Sequence, residues 1–141
     1  MVFVILEKPN ERSPTSFNMA EIITIPTFSD ERGDLSVLQD ILPYPIQRVF
    51  YIKGKKGKER GGKVHREAYQ CMICLHGSCN VEIVNKKERV IFNLNSPDKG
   101  LLIEPGDWHL MYDFSEDNIL LVISTEKFNP EETTKIKPTK A

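Results

Sequence analysis

From Glu21 onward the chain is a train of short β-like runs: EIITIP, DLSVLQ, QRVFYIK, YQCMICLH, SCNVEIVN, ERVIFNL, GLLIEP, WHLMYDF and NILLVIST. Turn-forming clusters such as DERGD, PYP, HGS, NKKE, NSPDKG and PGD separate them. Runs of this length and spacing, with no sustained 3.6-residue periodicity, predict an all-β sandwich or barrel. No internal repeat is visible, and 141 residues suffice for a single domain that buries a core without disulfide or metal staples. Residues 1–19 read as an N-terminal extension, whose apolar VFVIL is a candidate edge or swapped strand. Residues 20–128 read as the folded domain. Residues 129–141, NPEETTKIKPTKA, carry little apolar content and are predicted to be a flexible tail.

Charge excludes several functions. Nineteen Lys and Arg against 20 acidic residues leave a net charge of −1, which gives no global attraction to nucleic acid or to an anionic membrane. The cations of KGKKGKE come from one loop without interleaved aromatics, so nucleic acid is not an expected partner. The longest apolar run, ILLVIS, is far too short to span a bilayer as a helix, and MVFVIL lacks both the basic flank and the cleavage site of a signal peptide. An odd set of cysteines, Cys71, Cys74 and Cys79, argues against a secreted disulfide framework and for the cytoplasm. The CMIC pair sits in a strand-like run, where residues three apart face opposite ways, so Cys71 and Cys74 are expected to pack rather than to bond each other.

Alternation assigns faces. In QRVFYIK, Arg48, Phe50 and Ile52 share one face, opposite Val49 and Tyr51; in YQCMICLH, Gln70, Met72 and Cys74 share one. Polar Arg48, His65 and Gln70 near strand starts suggest a lined barrel mouth above an apolar core.

Two spacings sharpen the fold. Gly57, Lys63, His65, Gln70 and Gly77 follow the pattern G-x5-K-x-H-x4-Q-x6-G, which resembles the first cupin motif, and Pro105-x-x-x-His109 resembles the second. The resemblance implies a single-domain cupin, a double-stranded β-helix or jelly-roll barrel. A cupin metal site uses three histidines and a carboxylate. Here those positions read Lys63, His65, Gln70 and His109, and a lysine ammonium and a neutral amide are poor ligands. No bound metal and no cofactor are expected.

The longer stretches ERGDLSVLQ, PIQRVFYI, RGGKVHRE, QCMICLHGSCNV and NSPDKGLLIEPGDWHLMYDFSEDNILLVIST resemble, in order and spacing, the cupin sugar 3,4-ketoisomerases. These are the dTDP-4-keto-6-deoxyglucose 3,4-ketoisomerase family, WxcM-like, and the match covers roughly residues 28–125. The resemblance implies a metal-free homodimeric isomerase that moves a ketone from C4 to C3 of a nucleotide-linked 4-keto-6-deoxyhexose, on the way to deoxyamino sugars of surface polysaccharides. Within the family pattern, Lys63 replaces a histidine, Phe50 a tyrosine, and Leu110 a frequent glutamate.

Such chemistry removes a proton from C3, stabilises an enediol(ate) and reprotonates C4, so it wants a group that takes and gives a proton near neutrality. His65 is the expected acid and base. Lys63 is its expected partner, either neutral and moving a proton or charged and holding the enediolate oxygen. Arg48, Arg60 and Arg32 are candidates for the diphosphate or sugar oxygens. His109 is expected against the sugar, Gln70 as an orienting side chain, and Phe50 on the pocket wall. Two other readings stay open: a family member that binds the nucleotide sugar without isomerising it, and a C3 epimerase working through the same enediolate.

Overall fold

Turn chemistry cuts the chain into short strands in a computed structural model that describes residues 20–139. They are β1 (Glu21–Thr24), β2 (Thr27–Asp30), β3 (Gly33–Ser36), β4 (Arg48–Ile52), β5 (Arg60–His65), β6 (Gln70–His76), β7 (Cys79–Val84), β8 (Arg89–Leu94), β9 (Lys99–Ile103), β10 (Trp108–Tyr112), β11 (Ile119–Ser124) and β12 (Thr133–Thr134). One sheet runs β1-β9-β6-β11-β4 and a second runs β12-β5-β10-β7-β8; β2 and β3 form a separate hairpin. Every pairing is antiparallel. From β4 onward the chain passes repeatedly from one sheet to the other, which is the jelly-roll, double-stranded β-helix of a cupin. The expected fold class holds and the nine expected runs all carry strands, but β2, β5 and β12 are not among them, and β5 begins in the glycine- and lysine-rich stretch that reads as a turn. The N-terminal extension lies outside the described residues.

The core explains the patterning. Met72 and Cys74 of β6 join Val81 and Ile83 of β7, Leu101 of β9, and Leu120 and Val122 of β11 in one cluster between the sheets. On the opposite face of β6, Cys71 and Ile73 pack with Ile25, Ile41 and Ile123. That strand is therefore buried on both faces, which is why QCMICLH is almost continuously apolar. Cys71 and Cys74 lie in different clusters, as alternation requires, and all three cysteines are free and buried. Burial pushes the Cys71 thiol up to about 12, so it stays protonated and unreactive. The crossing from β6 to β7 depends on Gly77, whose φ is +73°; any Cβ there would overlap the carbonyl oxygen of Asp117.

The segment after β11 departs from expectation. Asn129 accepts a hydrogen bond from the Glu131 amide and starts a 3-10 turn, Pro130–Glu132, with proline inside its first turn. Thr133 and Thr134 then pair with His65 and Val64 as the edge strand β12. Farther on, Lys137 lies 4.4 Å over the Trp108 ring and 3.3 Å from Glu82. Residues 129–137 are thus a strap from β11 to the far edge of the other sheet, not a frayed tail. Low hydrophobicity misled the expectation, because the strap is held by hydrogen bonds and charge.

Candidate active site

β5 owes its geometry to a glycine pair. In register with β10, Lys63 faces His109 and Gly61 faces Leu110, with an irregularity between His109 and Leu110 that leaves Gly62 as the extra residue. Gly61 and Gly62 have φ of +94° and +72°. A Cβ on Gly61 would come 2.9 Å from the carbonyl oxygen of His109. This β-bulge lets the two strands approach closely and re-aims the side chains beyond it. Lys63 and His65 consequently leave β5 on the face shared with His109.

His65 is 7% exposed and His109 3%. Their rings stack in parallel, with centroids 5.4 Å apart and an interplanar angle of 4°. Burial, and then the neighbouring His65, lower the pKa of His109 from its ordinary 6.5 to about 3, with Lys63 adding to the effect. His109 is therefore a neutral imidazole at any working pH. Its Nδ1 is buried without a well-aligned hydrogen bond, and the Asp107 backbone, which favours the protonated ring, offsets the lowering only in part.

A carboxylate that sequence reasoning missed completes the pair. Glu132, on the strap and only 8% exposed, places Oε1 2.6 Å from His65 Nδ1. Its other oxygen, Oε2, accepts from the amides of Glu67 at 2.9 Å and Ala68 at 3.1 Å. Burial raises the carboxyl's hold on a proton, but the hydrogen bonds from His65 and the two amides together outweigh it and keep Glu132 below the ordinary 4.5. Two more bonds clamp the dyad, from the Arg66 amide to the Glu132 carbonyl at 2.9 Å and from the Gly106 amide to the His65 carbonyl at 3.0 Å. The cap-and-proline signature of NPEE was readable; its docking on β5 was not.

The other sheet supplies the facing groups. Arg48 on β4 and Gln70 on β6 both pair in register with Ser124 of β11, so they form one row across that sheet. Gln70 is 1% exposed, and neither its amide nitrogen nor its amide oxygen has a partner; Arg48 Nε is also buried and unpartnered. The Arg48 guanidinium lies 4.9 Å from the centroid of the Phe50 ring and 5.9 Å from that of Phe128. A buried polar group without a partner costs roughly 1–3 kcal/mol. Four such atoms, on Arg48, Gln70 and His109, are left without a partner among the described residues, a concentration of unmet polar groups in the otherwise satisfied interior.

The remaining candidates differ in placement. Lys63 shares the inward face yet is exposed, and Arg60, beside Met111 in register, is exposed too. Arg32 sits at the turn of the β2–β3 hairpin, bound through Nε to Asp30 Oδ2 at 3.1 Å, outside both large sheets. Phe50 is half-buried against the core, and Trp108 packs with Val64 and Val84 under Lys137. Among the described residues, no three His, Cys, Asp or Glu side chains lie close enough together to hold a metal ion.

Comparison with known proteins gives this geometry a lineage. The model of the FdtA family, described as WxcM-like, C-terminal, matches residues 18–136. The chain belongs to this family. It is 34% identical over 112 residues to a TDP-4-oxo-6-deoxy-alpha-D-glucose-3,4-oxoisomerase of Aneurinibacillus thermoaerophilus, a match covering 77% of this chain and 81% of that one. The solved structure of QdtA, a sugar 3,4-ketoisomerase from Thermoanaerobacterium thermosaccharolyticum in complex with TDP, superposes with a TM-score of 0.80 and 31% identity. That match covers 85% of this chain and 90% of QdtA. WlaRA, a TDP-fucose-3,4-ketoisomerase from Campylobacter jejuni, superposes at 0.77 with 31% identity, over 83% of this chain and 89% of its own. As a member of the FdtA family, this chain keeps the barrel.

Proposed function

We infer that the protein is a sugar 3,4-ketoisomerase acting on a dTDP-linked 4-keto-6-deoxyhexose. The observation that carries this reading is the match to the 3,4-ketoisomerases, in a barrel that buries unpartnered polar atoms of Arg48, Gln70 and His109 and engages His65 at Nδ1. The reaction shifts hydrogen without net change: C3 loses its hydrogen and O3 its proton, while C4 and O4 each gain one. His65 takes the proton from C3 and returns it at C4. Neutral His109 and the Gln70 amide meet the sugar oxygens, and Lys63 faces the enediolate charge as a cation. Arg48 and Arg60 grip the diphosphate, and Arg32 serves as an outlying contact. Phe50 forms the wall beneath Arg48.

The same reading makes the protein a homodimer of the cytoplasm in deoxyamino-sugar and surface-polysaccharide synthesis. Supporting a dimer, β4 is an edge strand among the described residues, with Val49 and Tyr51 exposed on its outer face. Supporting the cytoplasm, three cysteines are free, and among the described residues no helix is long and apolar enough to cross a membrane. The test is incubation with dTDP-4-keto-6-deoxyglucose in deuterated water, followed by NMR. A 3-keto product is the expected result, with deuterium at C4 in the fraction of turnovers in which the proton held by His65 exchanges with solvent before delivery. Inversion at C3 with the ketone still at C4 would mean an epimerase, and binding without exchange a non-catalytic protein; either outcome overturns the reading.

A further inference from the structure

We propose that Glu132, carried by the strap, is the positioning residue that sets the tautomer of His65, so that the proton carrier is complete only when the strap is docked on β5. The proposal rests on His65 being that carrier, but its geometry is independent of the sugar.

The argument follows from which oxygen meets which donor. Oε2 is committed to two backbone amides, those of Glu67 and Ala68, and these can only donate. Oε1 is left for His65 Nδ1 at 2.6 Å. An ionised carboxylate can only accept, so Nδ1 must carry the proton and Nε2 must present its lone pair. A base at C3 needs that lone pair. The charged and titratable groups around the ring are Glu132 from the strap, His109 from β10 and Lys63 from β5 itself. Of these, the acceptor hydrogen-bonded to the ring is Glu132. Nothing in the barrel proper supplies it; the carboxylate arrives 67 residues later in the chain than the histidine it orients.

The substitution Glu132→Gln tests this with little change in shape. Because Glu67 and Ala68 demand an oxygen at the Oε2 position, the new amide must place its NH2 toward His65. That NH2 donates to Nδ1 and forces the ring proton onto Nε2, the wrong tautomer for a base. The experiment uses full-length protein labelled with 15N at histidine, with the imidazole tautomer of His65 read by two-bond 1H–15N correlation in the neutral form. In parallel, kcat, KM and the kcat–pH profile are measured on dTDP-4-keto-6-deoxyglucose.

The wild type is expected to show Nδ1–H, and Glu132→Gln to show Nε2–H. The variant's kcat should fall on the order of 10²- to 10⁴-fold with KM changed less than about threefold and an altered acid limb of the kcat–pH profile. A wild-type ring protonated at Nε2 overturns the proposal by itself, even if the variant does not fold. So does a folded variant that keeps Nδ1–H or wild-type kcat. If the wild type leaves the sugar unchanged while the tautomer flips as described, the substrate assignment fails and the positioning role stands.

Discussion

Acid should weaken the fold well before the carboxylates titrate, and His109 is the reason. In the unfolded chain its imidazole takes a proton near 6.5; in the native barrel burial, aided by His65, delays this to about 3. Between those values the unfolded state binds one more proton than the folded state, so stability falls as pH falls. The full contribution is present above 6.5. At about 1.36 kcal/mol per pH unit of separation, moving from pH 7.5 to 5.0 costs about 2 kcal/mol. A domain of this size, with m roughly 1–3 kcal/mol per M of urea, should lose about 1 M in its unfolding midpoint. The assay is urea denaturation followed by Trp108 fluorescence at both pH values, for wild type and His109→Gln. The variant has no imidazole at this position, so its midpoint should move less between the two pH values by about that amount, whatever its absolute stability. Exposed His76 is common to both proteins and drops out. Parallel pH dependence in the two proteins would refute the claim that a neutral buried imidazole is the acid-sensitive element.

Other perturbations probe the remaining parts. His65→Asn should reduce turnover by about 10³-fold or more and abolish deuterium incorporation at C4, since no other proton carrier stands at that position; NMR of the product checks both. Lys63→Ala should lower kcat about 10- to 10²-fold with the fold intact, as expected for an exposed cation acting on developing charge, and Lys63→Arg should restore part of it. Treatment with a chelator should leave turnover unchanged, and loss of activity rescued by a divalent ion would defeat the proton-transfer scheme. Gly77→Ala should destabilise the domain by about 2 kcal/mol or more, measured by urea melts, because it combines a positive φ with overlap on Asp117.

Local chemistry made much of the barrel legible. β4 shows it plainly: Arg48, Phe50 and Ile52 turn in and Val49 and Tyr51 turn out, as period-two alternation requires. The same rule placed Gln70 with Met72 and Cys74, and the histidine spacing put His65 and His109 on one face. Arg32 shows what local reading leaves open. An arginine in a turn looks the same whether it meets a phosphate or its neighbour, and here Asp30 engages it.

The strap marks the boundary between the two kinds of information. Period-two patterning and glycine-bearing turns are short-range properties, so the linear chain alone determined most strand positions and the apolar interior of an all-β barrel, while the jelly-roll came from the resemblance of its two motifs to the cupins. The partner of His65 is a different matter. Glu132 sits in a polar segment with no periodicity, and its role comes from an edge-strand pairing to β5 that delivers one oxygen to an imidazole and the other to two amides. Such a contact joins residues far apart in the chain and leaves no local trace, because its energy comes from long-range hydrogen bonds rather than from burying a patterned face. Tertiary structure alone decided it.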